Sequence, residues 1–261
     1  MQIQQVNMCG DELPGGGAER FYDLFGEKDD VEFYVEQAKR SGGKALEFGV
    51  GTARLAIHLA RAGVETRGID TSRHMLNAAE RNIAEEAPET QARLQMALGD
   101  ALDFRLPEKY DMIYFPSCSF DHILDPVDQR SALLNIKKHL APGGRYVFDL
   151  YLVKDLKADS GWVVRRKELE DGSNVIRSEY HVTRPERRLM SLDMWYDHVV
   201  DGRVAERFYE GSDVYVHDVE GMRALLDETG FEIVEEYGDH HGKPYEAGDR
   251  LIVFVTRPKK Q

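Results

Sequence analysis

The chain has 261 residues, 42% hydrophobic and 10% aromatic, enough for one large domain or two small ones with a full core. Its formal net charge of −13 argues against nucleic acid as a partner, since phosphate binding needs clustered Lys and Arg, and leaves neutral or cationic small molecules as better candidates. No apolar run approaches the ~20 residues that span a bilayer, Met1–Gly10 lacks a signal-peptide pattern, and Cys9 and Cys118 show no metal-ligand spacing, so the expectation is a cytoplasmic protein without membrane or metal.

Residues 1–18 read as a flexible lead ending in Leu13-Pro-Gly-Gly-Gly-Ala18. Over 19–40, Phe21, Tyr22, Phe25, Phe33, Tyr34 and Ala38 recur on one face, which predicts a helix. From residue 44 short apolar runs alternate with helical segments. Strands are expected at 44–48, 65–69, 93–97, 111–115 and 145–151, and helices at 52–62, 72–86 and 127–140, the last stopped by Ala141-Pro-Gly-Gly144. This alternation predicts an α/β protein with a parallel sheet covered on both faces.

The texture changes over 162–217. Four strand-like runs, 162–169, 174–183, 188–200 and 203–216, carry the hairpin signals Asp171-Gly172 and Asp201-Gly202, which predict an antiparallel sheet. A helix at 219–229 ending at Gly230, a strand at Phe231–Glu235 and a closing strand at Leu251–Val255 restore the α/β pattern. The expected division is therefore a lead (1–18), an α/β domain (19–155 and 218–261), and an antiparallel insert (156–217) that lies over one end of the sheet as a lid or forms a homodimer contact.

Ala45-Leu-Glu-Phe-Gly-Val-Gly51 is the most informative stretch. A strand runs into a helix through a turn where Gly49 and Gly51 let the backbone approach a ligand closely. Asp70 ends the next strand, where nucleotide-binding folds place the group that holds a ribose. In Gly49-Val-Gly-Thr-Ala-Arg54 the third glycine of a dinucleotide turn is replaced by Arg, which counts against NAD.

Glu47-Phe-Gly-Val-Gly-Thr-Ala53 resembles motif I of the class I S-adenosylmethionine-dependent methyltransferases, and further segments resemble that family's motifs in its order. They are Gly68-Ile-Asp70 with Thr71-Ser-Arg-His-Met75, Gly99-Asp-Ala-Leu-Asp-Phe104, Tyr110-Asp-Met-Ile-Tyr-Phe-Pro116, Leu140–Asp149 and Thr229-Gly-Phe-Glu-Ile233. The resemblance covers roughly residues 20–256 and departs at Ala53, where the family commonly has a third glycine. It implies a Rossmann-like, mostly parallel seven-stranded sheet and S-adenosylmethionine as cofactor. Gly49 and Gly51 would lie against the methionine part, Asp70 on the ribose, Met75 on adenine, and Asp100 and Ala101 at its edge. Glu47 would help hold the amino group, Arg54 is a candidate for the carboxylate, Tyr22 and Tyr34 resemble aromatics that close over the cofactor, and Phe115 would flank it.

Phe115-Pro-Ser-Cys-Ser-Phe-Asp-His-Ile-Leu124 resembles the acceptor segment of small-molecule N-methyltransferases of the amino-sugar and glycine type. That resemblance makes His122 the expected general base, with Ser119 or Tyr22 fixing geometry. A neutral imidazole with a pKa near ~6.5 suits removal of a proton from an amine or hydroxyl. Trp195 and Tyr196 are candidates to line the acceptor chamber or a subunit contact, and Tyr237–Tyr245, with His240 and His241, reads as a connector beside the site rather than a metal centre. The expected function is methyl transfer to a small-molecule amine. An oxygen or protein acceptor, or a non-catalytic cofactor-binding protein, stands as the alternative.

Overall fold

The computed structural model describes residues 18–26, 29–153 and 161–260. The predicted lead up to residue 17, Cys9 and the start of the insert at 156 lie outside the described residues. A 3-10 turn at Ala18–Arg20 precedes α1 (Tyr22–Phe25) and α2 (Val31–Ser41). Next come β1 (Lys44–Phe48), α3 (Arg54–Arg61), β2 (Glu65–Asp70), α4 (Arg73–Ala84), α5 (Pro88–Gln91), β3 (Leu94–Leu98) and β4 (Tyr110–Phe115). A 3-10 turn at Ser119–His122 leads to α6 (Pro126–His139) and β5 (Leu140–Tyr151). The insert holds β6 (Trp162–Glu168), β7 (Asn174–Arg184), β8 (Leu189–Val200) and β9 (Arg203–Tyr215), and the chain closes with α7 (Val219–Thr229), β10 (Phe231–Tyr237) and β11 (Leu251–Pro258).

Seven strands form one sheet in the order β10-β11-β5-β4-β1-β2-β3, with β1 to β5 parallel and β11 antiparallel to both β5 and β10, so that β11 alone is reversed. Side chains alternate between its faces along each strand. Leu46, Phe48, Ile113, Phe115, Phe148 and Phe254 pack beneath α6 and α7. Ala45, Met112, Tyr114, Val147 and Val253 pack beneath α2 and α3. Among the described residues, no helix is long and apolar enough to cross a membrane.

The insert is a separate four-stranded antiparallel sheet, β6-β7-β8-β9. Asp201 (φ 49°) and Gly202 (φ 73°) both take left-handed backbone between β8 and β9, the conformation that a two-residue hairpin with the right twist requires. Val175, Met194 and Tyr196 on its inner face pack against Phe21 and Phe25. Trp162, Trp195 and Tyr209 form a row of ring contacts at 5.3 and 5.2 Å, with Trp162 62% exposed. Tyr196, a predicted chamber or subunit residue, is therefore core: it meets Phe25 at 6.1 Å and is 1% exposed.

Two element predictions need correction. The single helix expected over 19–40 is split, because its aromatic residues serve two cores. Phe21 and Phe25 turn to the insert, whereas Phe33 and Tyr34 pack on the main sheet. The chain between them passes Gly26, whose backbone is extended (φ −67°, ψ 141°). The strand expected from 145 begins at Leu140, with its pairing to β4 interrupted between Tyr110 and Met112 while 141–144 bulge past.

Candidate active site

β1 and β4 are neighbours, yet α3 after β1 covers one face and α6 after β4 covers the other. The two connections diverge and leave a crevice at the carboxyl ends of the strands, where open α/β sheets bind ligands. A cavity of about 220 Å³ opens there. Gly49 (φ 62°) and Gly51 (φ 54°) take left-handed backbone at its edge, and a Cβ on Gly49 would stand 3.0 Å from that of Ser119. Ala53 (φ 65°) shares that conformation without being glycine, a strain of about 1–2 kcal/mol that the surrounding packing absorbs.

Asp70 ties the turn to the next helix. Its Oδ2 accepts the Gly51 N–H at 2.8 Å and its Oδ1 the Ser72 N–H at 2.8 Å. Ser72 then caps α4 by accepting the Met75 N–H at 3.3 Å, which sets Met75 in the cavity wall. Asp100 accepts the Leu102 N–H at 2.9 Å and so shapes the opposite rim. Phe48, Ile69, Met75, Ala101, Leu102 and Phe115 give an apolar slot, and the charged lining residues are Asp70, Asp100, Asp128 and Asp213, with no Lys or Arg among the described residues that line it. An apolar slot with carboxylates at its rim fits the flat base, diol and positive charge of S-adenosylmethionine, and lacks the cations a pyrophosphate calls for.

Three residues expected at the cofactor stand off the cavity. The Tyr34 hydroxyl is buried beneath it and donates to Asp149 Oδ2 at 2.9 Å. Arg54 reaches back to α2 and holds both oxygens of Asp30, at 2.7 and 2.6 Å. Glu47 points into the α2–α3 face and accepts the Tyr114 hydroxyl at 2.7 Å. It supports the turn from below.

Burial outweighs the Tyr114 hydrogen bond and the nearby Arg54 charge, and raises the Glu47 pKa from 4.5 to about 8. The folded protein therefore keeps a proton that the unfolded chain releases above pH 4.5, so this contribution is complete below pH 4.5 and is lost as pH rises towards 8. At about 1.4 kcal/mol per unit the loss is several kcal/mol in order of magnitude. Denaturant unfolding at pH 6 and pH 8.5 should show wild type losing stability across this interval and Glu47→Gln losing markedly less. Equal losses in the two proteins would show that Glu47 is ionised in the fold.

Tyr22, Phe115, Ser119 and His122 all line the cavity. The Ser119 hydroxyl donates to the Pro116 carbonyl at 2.7 Å, closing the turn that carries it. His122 is half-buried; burial lowers its pKa to about 4, opposed by a hydrogen bond to the Asp213 carbonyl on β9. A carbonyl only accepts, so the ring nitrogen that meets it carries the hydrogen and the other is left as an acceptor. The insert thus selects the tautomer of the residue expected to act as base. Beside it, His217 Nε2 lies 3.6 Å from Asp121 Oδ1, both buried. Burial pushes the Asp121 carboxyl well above the usual carboxylate range and lowers His217 to about 3.

Asp128 and Asp213 went unread in the sequence. Asp213 lies in the insert, remote from every motif, and no local pattern marks it. Asp149 had a legible signal, an acid ending the apolar run of β5, without an assigned role.

Residues 45–144 match a protein family described as "Methyltransferase domain". An uncharacterized methyltransferase of Bacillus licheniformis is 33% identical over 150 residues, 58% of this chain and 64% of that protein, so the match spans just under two thirds of the relative's length. Among solved structures, the CcbJ methyltransferase from Streptomyces caelestis superposes with a TM-score of 0.76 at 22% identity, over 98% of this chain and 97% of that one. A sugar N-methyltransferase from Streptoalloteichus superposes with a TM-score of 0.73 at 22% identity, over 98% and 99%. Both likenesses include the insert as well as the main sheet. Residues 45–144 thus match a methyltransferase domain, and the strands that follow complete its sheet in the fold shared with these methyltransferase structures.

Proposed function

We propose that the protein methylates a nitrogen of a small-molecule amine, with His122 taking the proton. The observation that carries this reading is the cavity's charge: its acidic lining is Asp70, Asp100 and Asp128, with Asp213 paired to Arg184 on the insert, around a neutral His122 and with no lining Lys or Arg among the described residues. Such a lining favours a cationic guest over a carboxylate or phosphate. The structural likeness to a sugar N-methyltransferase supports the same acceptor class.

When bound, the cofactor supplies a methyl carbon on a sulfonium, a good leaving group. The chain's part is alignment. The turn at Gly49–Gly51 and the carboxylate of Asp70 would hold the cofactor, while Ser119, Tyr22 and the insert would orient the amine in line with the methyl. An amine that enters as its ammonium would first give a proton to the free ring nitrogen of His122, and the lone pair so freed would form the new N–C bond as the C–S pair returns to sulfur. The test is S-adenosylhomocysteine production with amino sugars, simple amines, phenols and a peptide mixture. Turnover confined to amines is expected. Turnover confined to hydroxyls or peptides overturns the acceptor class, and failure of S-adenosylmethionine to raise the melting temperature overturns the cofactor.

A further inference from the structure

Asp149, two residues before the end of β5, is fully buried, and four donors converge on its carboxylate. They are the Tyr34 hydroxyl at 2.9 Å, the Ser117 N–H at 3.3 Å, His240 Nε2 at 3.1 Å, and the Cys118 N–H. Ser117 (φ 57°) and Cys118 (φ 56°) are consecutive non-glycine residues in left-handed backbone, each costing roughly 1–2 kcal/mol. Such a pair persists only where something over-determines it. Successive backbone N–H groups in a turn of this kind form a concavity that binds anions, and here the anion is a side chain of the adjacent strand. Immediately beyond the turn come Ser119 and His122.

We infer that Asp149 is the positioning residue of the acceptor side: its charge holds 117–118 on the left-handed path that delivers Ser119 and His122 to the cavity, and His240, from the β10–β11 connector, balances that charge. The inference rests on the proposed function for its meaning and on geometry for its support. Burial works against a charged His240, but its hydrogen bond to Asp149 and that residue's charge prevail and raise its pKa. The same arrangement accounts for Tyr34, which braces the carboxylate from the opposite side. It also gives His240 a structural role beside the site without a metal.

Amide hydrogen exchange tests the inference directly. In wild type the Ser117 and Cys118 amides should exchange as slowly as those of the central strands; rapid exchange in the folded protein would overturn the inference, whether or not any variant folds. An asparagine at 149 turns one acceptor oxygen into a donor facing four donors. Asp149→Asn should therefore quicken exchange over 117–122 about ten-fold or more and lower kcat about ten-fold or more, with S-adenosylmethionine affinity within about three-fold. A folded variant with unchanged exchange and kcat rules the role out. Wild type that shows the slow amides but methylates nothing would sink the proposed function and leave the positioning role standing.

Discussion

Asp70→Ala is expected to weaken S-adenosylmethionine binding by about 10²–10³-fold, with kcat at saturating cofactor far less affected. A ribose diol would donate two hydrogen bonds to this carboxylate, and charge-assisted bonds contribute roughly 1.5–3 kcal/mol each. Both carboxylate oxygens already organise the site, one through Gly51 N–H and the other through Ser72 N–H. Truncation therefore loosens the turn and the start of α4 as well, and should lower stability by about 1–3 kcal/mol. Asp70→Asn keeps one acceptor and should lie between the two. Calorimetric titration decides the matter, and affinity for the alanine variant within three-fold of wild type would remove Asp70 from cofactor binding.

His122→Ala should lower kcat by about 10²–10⁴-fold, the usual range for a lost general base, while cofactor affinity changes by no more than about three-fold. Burial keeps the ring neutral above about pH 4, so its acceptor nitrogen carries a free lone pair throughout the physiological range, although the same burial lowers its basicity. Single-turnover rates at saturating cofactor and amine measure this step. If His122→Ala turns over as wild type does, proton removal belongs to solvent and His122 only helps shape the wall. Addition of imidazole should restore part of the variant's rate if the missing group is a base.

Residues whose chemistry is local were legible in the sequence. The glycine turn, the acid at the end of β2 and the two hairpin turns each follow from a few neighbouring residues. The structure sets Gly49, Gly51, Asp70, Met75, Asp100, Ala101, Phe115, Ser119 and His122 around one cavity. Glu47, Arg54 and Tyr34 were not legible in the same way. Each side chain is claimed by a partner distant in sequence: Tyr114, Asp30 and Asp149 respectively. The helix over 19–40 failed for a related reason, since periodicity shows an apolar face but not that half of it faces a second sheet.

The sequence alone determined the alternation of strand and helix, the antiparallel insert and the cofactor turn, because these depend on backbone preference, side-chain period and short-range hydrogen bonds. Only the tertiary structure decided which carboxylates face the cavity, which are buried as supports, and which tautomer His122 adopts. Those outcomes depend on burial and on donors brought together from distant strands. The Asp213 carbonyl that meets His122 lies 91 residues further along the chain, and Asp149 gathers donors from α2, the turn after β4 and the β10–β11 connector. No local pattern encodes such a meeting; it exists only once the sheet has closed.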